Sequence, residues 1–530
     1  MSFIKLLLEK EASYTLKKPA SMFRLNIEAG YFNVFDATNR QVLSLRERRY
    51  YPKTFCEVLP NGDVFCGYGA KVAHPQDEFL HITLRRDGTI NVSRDINCTL
   101  PLFYGKDDSV LAIGSDYGDV YNSLSRHTFN EAKATEVLMP VGLPSFTACR
   151  EINILQALET LEGSSYAVSV SSGIPRQWAV SRDAPESNPK DFVKTIESSA
   201  ERLFQKIEYF LEGAMFEASG GIDSSFLPLY FAQRHPGSVK LLASKRYSGV
   251  FGITQEQKLN DLEQITGATG LTLALGREEN GYPLSDFIMG YNREPFYYLR
   301  SSLNSEKYVS LLSENGCKIL LTGSAGDELF SNIIDAEQQL AYGLSEQTRR
   351  QEVSLPSFLT ETFRNAYIAC TDDRDARVMP QLAVGFYAAS QSRNGHLIDH
   401  DIWPVSPFAD LNLYAFCQGL PIQFRTNKNI FRAYFQAKGW PKSIYQPRVN
   451  EDTGDFFNSA MTSGFYDHLI EYFSESGYAV QKGWLAPTVL RQSLATYKNS
   501  DTSGDVPSKD LFTMYLWLVL EIQASYFQDI

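Results

Sequence analysis

The sequence predicts two domains of different class: a strand-rich α+β domain over residues 1–185, and an α/β domain over 186–530 whose later part is mostly helical. Three observations carry the prediction. Short β-forming runs bounded by turn residues fill the first 180 or so positions. A polar stretch with two prolines, Val180 to Lys190, then breaks the pattern and reads as an interdomain linker. Beyond it strands alternate with helices, the arrangement that builds a parallel sheet.

The elements follow in order. Phe79–Leu84 and Thr89–Ser93 flank Arg85-Arg-Asp-Gly88, a hairpin signal with Asp-Gly at its centre, and Leu111–Ser115 continues the strand pattern. Asp191 to Phe210 carries Phe192, Ile196, Ala200, Leu203 and Ile207 at helical spacing. Ala214–Ala218 is a short strand, followed by a glycine-rich turn and a helix over Phe226–Gln233. Val239–Ser244 and Lys318–Thr322 are further strands, and helices dominate from about residue 335. Leu511–Leu520, apolar but bounded by Asp510 and Glu521, reads as a buried helix too short to span a bilayer.

Composition narrows the function. The net charge of -12 argues against a broad nucleic-acid-binding face, which needs clustered Lys and Arg. Seven cysteines, an odd number without a C-x-x-C pair, read as reduced thiols in a cytoplasmic protein and not as a disulfide frame or zinc site. H-E-x-x-H is absent, and the amino end does not read as a signal peptide, its apolar run being three leucines before a charge.

The sharpest feature is Ser219-Gly-Gly-Ile-Asp-Ser-Ser225, placed after a strand and opening a helix. Gly220 and Gly221 allow the backbone to approach a ligand closely, and a helix start favours an anion. Ser219, Ser224 and Ser225 add hydroxyls at the same mouth. A carboxylate among phosphate ligands is repulsive unless it holds a cation, so Asp223 points to Mg²⁺. No lysine follows the glycines, which excludes the Walker pattern. A second loop, Leu321-Thr-Gly-Ser-Ala-Gly-Asp-Glu-Leu-Phe330, also follows a strand. Two readings fit Asp327-Glu328 alone, a helix cap or a metal ligand. Beside the first loop, Asp327 reads as the second carboxylate on the same ion, because ligands bind at the carboxyl edge of open parallel sheets.

Together, S-G-G-I-D-S-S and T-G-S-A-G-D-E-L-F resemble the synthetase domain of the asparagine synthetase family, which includes β-lactam synthetases and lasso-peptide cyclases. Val405-Ser-Pro-Phe-Ala-Asp410 resembles its R-x-P-F-L-D stretch, Thr426–Arg432 its K-x-x-L-R helix, and Pro441–Arg448 its L-P-x-x-I-x-x-R-x-K turn. Val92–Asp95, Pro101–Tyr104 and Gly114–Asp116 are similar to the family's glutaminase-type half. The resemblance implies an amino-terminal Ntn-type β-sandwich and a PP-loop ATP pyrophosphatase domain. It further implies ATP and Mg²⁺ as cofactors, cleavage to AMP and pyrophosphate, and amide-bond formation. Ser219, Gly220, Gly221, Asp223, Ser224 and Ser225 would bind the phosphates, Asp223 and Asp327 the metal. Thr322 and Gly323 align with residues touching the AMP portion, and Ser244, at the end of its strand, is a candidate adenine contact.

The sequence also departs from the family. The glutaminase nucleophile is a cysteine at position 2; here Ser2 stands there, and no cysteine precedes Cys56. The amine is then expected to come from the substrate, a peptide or a small amino acid derivative. The family's acid/base pair is absent as well: Ser324 replaces its Glu or Tyr, and Trp403 its partner Glu. Lys428, Arg448 and Ser324 are the catalytic candidates, the first two as cations on the departing pyrophosphate, with Arg432 expected on the same helical face as Lys428. His396 and His400 are candidate bases only by their place upstream of Trp403, and Asn450–Gly454 is a candidate lid. A lasso-peptide macrolactam cyclase, with a precursor peptide and a leader peptidase as its partners, is the first expectation. A β-lactam-type or intermolecular amide synthetase is the second, and a non-catalytic binding relative the third.

Overall fold

The β-forming runs of the amino-terminal region pair into two sheets in the computed structural model. It describes residues 13–14, 24–28, 31–35, 41–46, 53–61, 63–69, 80–94, 102–108, 110–138, 147–155, 159–164, 167–172, 187–247, 250–275, 303–330, 354–369, 388–446, 477–499 and scattered positions between 513 and 527. In chain order the strands are β1 (Ser13–Tyr14), β2 (Arg24–Glu28), β3 (Tyr31–Phe35), β4 (Gln41–Arg46), β5 (Lys53–Val58) and β6 (Val64–Gly69). They continue with β7 (Leu80–Leu84), β8 (Ile90–Arg94), β9 (Phe103–Lys106), β10 (Leu111–Gly114), β11 (Ile152–Ile154), β12 (Glu159–Gly163) and β13 (Val168–Ser172). One sheet has the order β1-β2-β3-β4-β10-β9-β11, the other β13-β12-β8-β7-β6-β5. All pairings within them are antiparallel except β4 with β10.

The expected hairpin is present between β7 and β8. Gly88 takes φ 86°, the Arg85 N–H donates to the Thr89 carbonyl at 2.8 Å, and the Asp87 carboxylate accepts from the Thr89 N–H at 2.9 Å. Both strands bury alternate residues, so Ile82 and Val92 face inward. They share one core with Val34, Leu43 and Leu45 of the facing sheet, which makes the pair sandwich-like. The outer face of the seven-stranded sheet packs helix α1 (Tyr117–Ser123) through Val120 and Tyr121. One expectation fails here. Cys66 is disulfide-bonded and stands directly across the ladder from Cys56. No C-x-x-C or similar spacing in the sequence marks this cysteine as bridged.

The expected linker lies outside the described residues up to position 186; from there Pro189–Asp191 makes a 3₁₀ turn. A short helix α2 (Thr135–Leu138) precedes it, and α3 (Phe192–Ile207) follows, burying Phe192, Ile196, Ala200 and Leu203 as its spacing predicts. The carboxy-terminal sheet contains β14 (Ala214–Glu217), β15 (Leu241–Tyr247), β16 (Thr269–Leu275), β17 (Ile319–Leu321) and β18 (Trp403–Val405). Its order is β16-β15-β14-β17-β18, and every pairing is parallel. The chain runs outward from β14 to β16 and then returns to the other side of β14. The topological switch point therefore lies between β14 and β17, where open parallel sheets bind ligands.

Helices α4 (Ile222–Arg234) and α5 (Val250–Thr266) pack on one face, together with α3. On the other face lie α6 (Leu303–Glu314) and, beyond the five-residue α7 (Gly326–Phe330) and α8 (Glu361–Ala369), α9 (Ala388–Asp399). The helical remainder includes α10 (Leu411–Gln418), α11 (Ile422–Arg425) and α12 (Asn429–Ala437). Met514, Trp517, Leu518 and Leu520 are buried. Among the described residues no helix is long and apolar enough to cross a membrane.

Candidate active site

The two strands that flank the switch point each end in one of the glycine-rich loops. The first loop leaves β14, turns at Gly220 with φ 90°, and enters α4 at Ile222. Its hydroxyls are organised locally. Ser224 Oγ accepts from the Ser219 N–H at 3.2 Å and lies 3.1 Å from Ser219 Oγ; Ser225 Oγ donates to the Gly221 carbonyl at 2.8 Å. The second loop leaves β17, passes Ala325 at a left-handed φ of 70°, and enters α7. A non-glycine residue held there is a strained conformation of the kind found at ligand sites.

Close packing joins the loops. A Cβ on Gly323 would meet the Ser224 backbone nitrogen at 2.5 Å, and one on Gly326 would meet the Asp223 Cγ at 2.5 Å. Only glycines allow this approach, and it brings Asp223 and Asp327 to a common point. The Lys428 ammonium sits there, bonded to Asp223 Oδ2 and 2.6 Å from Asp327 Oδ1. The two carboxylates are therefore close enough to share one cation.

Their environments differ. Asp223 is buried, and its other oxygen, Oδ1, has no hydrogen-bond partner among the described residues. Asp327 has a side chain 65% exposed. Burial raises the Asp223 carboxyl to about 6; the Lys428 charge opposes this and Asp327 adds to it. Burial lowers the Lys428 pKa, but the two aspartates outweigh it and hold the ammonium above its ordinary value. Glu328, next along the loop, is pushed up to about 7 by burial and by the charges of Asp327 and Asp223.

An orphaned buried carboxylate oxygen beside an open, exposed one fits a hydrated divalent ion that also takes phosphate oxygens. Mg²⁺ commonly binds with one or two carboxylates in this way. Among the described residues no group of three or more His, Cys, Asp or Glu side chains could hold a metal ion by itself.

Lys428 reaches this position by an unexpected route. The helix expected over Thr426–Arg432 is broken: Lys428 has φ 58° and Asn427 φ 50°, and α12 starts only at Asn429. Arg432 therefore does not continue a helical face from Lys428; its Nε donates to the Asn427 carbonyl at 2.7 Å and braces the bend. Beneath the second loop, buried Arg425 donates to the Leu329 carbonyl at 3.2 Å.

Thr322 and Ser324 lie at the second loop's mouth, with the Thr322 hydroxyl donating to Ser324 Oγ at 3.1 Å. Ser244 is not at a strand end, since β15 runs on to Tyr247; its hydroxyl is 3.0 Å from Thr272 Oγ1. Trp403 is buried in the core. His396 and His400 face Glu306 at 3.0 and 3.5 Å, in a cluster with α6. Asp410 caps α10 through the Leu413 N–H and accepts from Arg202 at 2.6 Å, a structural duty. Arg448, Ser2 and Asn450–Gly454 lie outside the described residues. Glu328 was missed beside Asp327, although the acidic pair was visible. Gln255 and Lys258 of α5 are buried and bond to carbonyls of the first loop, which the sequence does not show because polar residues on a helix read as solvent-facing.

No protein-family model matches the chain, and no curated protein matches it.

Proposed function

We propose that the chain is an ATP-dependent, AMP-forming carbon–nitrogen ligase of the asparagine synthetase type, with a degenerate glutaminase-like domain over 1–185 and a PP-loop synthetase domain over 186–530. The observation that carries this reading is the meeting of Asp223 and Asp327 at one cation, at the switch point of a parallel sheet. Asp223, through its buried Oδ1, and Asp327 would hold the magnesium ion, whose chemistry is to neutralise charge on the triphosphate. Two cations at contact distance repel strongly in a buried site. Lys428 would therefore turn from the carboxylates towards the phosphates when metal and nucleotide bind together, and steady the departing pyrophosphate.

A carboxylate oxygen of the substrate attacks the α-phosphorus. The new acyl–oxygen–phosphorus link forms as the bond to the β-phosphate oxygen breaks, and pyrophosphate leaves with the electron pair. An amine nitrogen then attacks the acyl carbon. The acyl–oxygen bond breaks, AMP departs, and the amine proton passes to solvent. Placing amine and acyl carbon together can supply about 7–11 kcal/mol of the barrier. Ser2 in the place of a nucleophilic cysteine supports an amine carried by the substrate. When both groups belong to one molecule the product is a ring, and a peptide macrolactam of the lasso type is the substrate class we favour. Trp403 in the core and Ser324 at the mouth leave that step without the family's acid/base pair.

The test is the nucleotide product. Incubated with ATP, Mg²⁺ and peptides bearing a free amine and a side-chain carboxylate, the chain is expected to yield AMP and pyrophosphate in equal amounts. ADP and phosphate would contradict the reading.

A further inference from the structure

Helix α5 reaches under the first loop with two polar side chains that a surface helix would point outward. Gln255 and Lys258 are only 5% and 4% exposed. Spaced by three residues, they share one helical face. Gln255 Nε2 donates to the Ser219 carbonyl at 2.8 Å and to the Lys245 carbonyl at 3.2 Å. The Lys258 ammonium donates to the Gly220 carbonyl. The approach is close: a Cβ on Gly220 would meet Gln255 Cγ at 3.0 Å.

The geometry points to Gln255 and Lys258 as positioning residues that pin two successive carbonyls of the loop inward and so aim the amides of Gly220 and Gly221 at the phosphates. In a planar trans peptide the carbonyl oxygen and the following N–H point in opposite directions. Holding the Ser219 oxygen against α5 turns the Gly220 N–H away from it. Holding the Gly220 oxygen does the same for the Gly221 N–H, and the φ of 90° at Gly220 lets both carbonyls face one helix. Gly221 N–H donates to Ser219 Oγ at 3.3 Å, a long bond that a charged phosphate oxygen would outcompete. Successive amides turned to one side form an anion-binding concavity. Lys258 adds a positive charge beneath that concavity.

This inference rests on the nucleotide reading above, and the test separates the two. Full-length wild type, K258M and Q255E are titrated with Mg²⁺ and three probes: AMP, inorganic pyrophosphate and α,β-methylene-ATP. Each variant keeps the length of its side chain and removes the donor. The variants are expected to bind AMP as wild type does, and to bind pyrophosphate and the ATP analogue about 10–100-fold more weakly, the usual size of a hydrogen bond to a charged group. Equal weakening for AMP and the analogue, with a lower melting temperature, would make the pair merely structural and overturn the proposal. Unchanged binding of all three probes would overturn it too. If K258M does not fold, Q255E decides. A wild type that binds none of the probes would remove the nucleotide reading itself, and the aiming role with it.

Discussion

The two halves of the chain both bury polar side chains, but to opposite ends. In the amino-terminal region several serve the scaffold one by one: Arg94 of β8 donates to the Leu155 carbonyl, and in the loops beside the sheets Asn130 donates to the Thr147 carbonyl and Thr147 to the Cys149 carbonyl. Each satisfies a nearby backbone group, as buried polar atoms must. In the carboxy-terminal sheet Asp223, Ser224, Ser225, Gln255, Lys258 and Thr322 are also buried, yet they gather around two loops at one edge. One of them, Asp223, keeps an oxygen without a partner among the described residues. Dispersed polar groups, whether bonded like these or lone among the described residues like the Thr135 hydroxyl, make no site; convergent ones with an unpartnered carboxylate oxygen among them prepare for a ligand.

That contrast can be broken most severely at the carboxylates. Asp223→Asn is expected to lower AMP formation by at least about 10²–10³-fold, the loss seen when a charge-stabilising group is removed, with the far-UV circular dichroism unchanged. Asp327→Asn acts in the same direction but less strongly, because water reaches its exposed side chain. Lys428→Met has two signs: pyrophosphate release falls by about 10²-fold, while Mn²⁺ binding without nucleotide, followed by electron paramagnetic resonance, tightens because the competing ammonium is gone. Unchanged Mn²⁺ affinity would show that Lys428 does not occupy the metal's place.

Glycine substitutions sharpen the comparison between halves. Gly323→Ala drives a Cβ into the Ser224 backbone, which cannot retreat, and is expected to cost about 1–3 kcal/mol in denaturant unfolding together with nucleotide affinity. Gly163→Ala drives one towards the flexible Leu111 Cδ2, so stability falls but nucleotide affinity stays. The smallest effect is expected at Ser2: Ser2→Ala should leave amide formation within about twofold, since a serine hydroxyl is a much poorer nucleophile than the cysteine thiol it replaces. A larger loss would restore a catalytic role to the amino-terminal domain.

The site was legible in the sequence where its chemistry is contiguous. A strand, a glycine turn and a helix start occupy adjacent positions at Ala214–Ser225, and small residues surround Asp327, so both loops could be read from local rules. The β7–β8 hairpin was legible for the same reason, through Asp87 and Gly88. Residues whose role depends on packing between distant segments were not. Gln255 and Lys258 look like ordinary surface positions until α5 folds beneath the loop. The disulfide at Cys66 is marked by no cysteine spacing in the sequence. Lys428 was found by its resemblance to a motif, but its left-handed backbone was not, because nothing in Thr426-Asn-Lys-Asn429 forbids a helix.

The central claim is that a divalent ion joins the two loops through Asp223 and Asp327 and grips a triphosphate between them. Crystals of the full chain grown with Mn²⁺ and α,β-methylene-ATP test this directly by the manganese anomalous signal. The peak is expected beside Asp223 Oδ1, within bonding distance of Asp327 and of phosphate oxygens, with the Lys428 ammonium displaced. A nucleotide bound away from the β14–β17 edge, or a metal held by neither aspartate, would contradict the account.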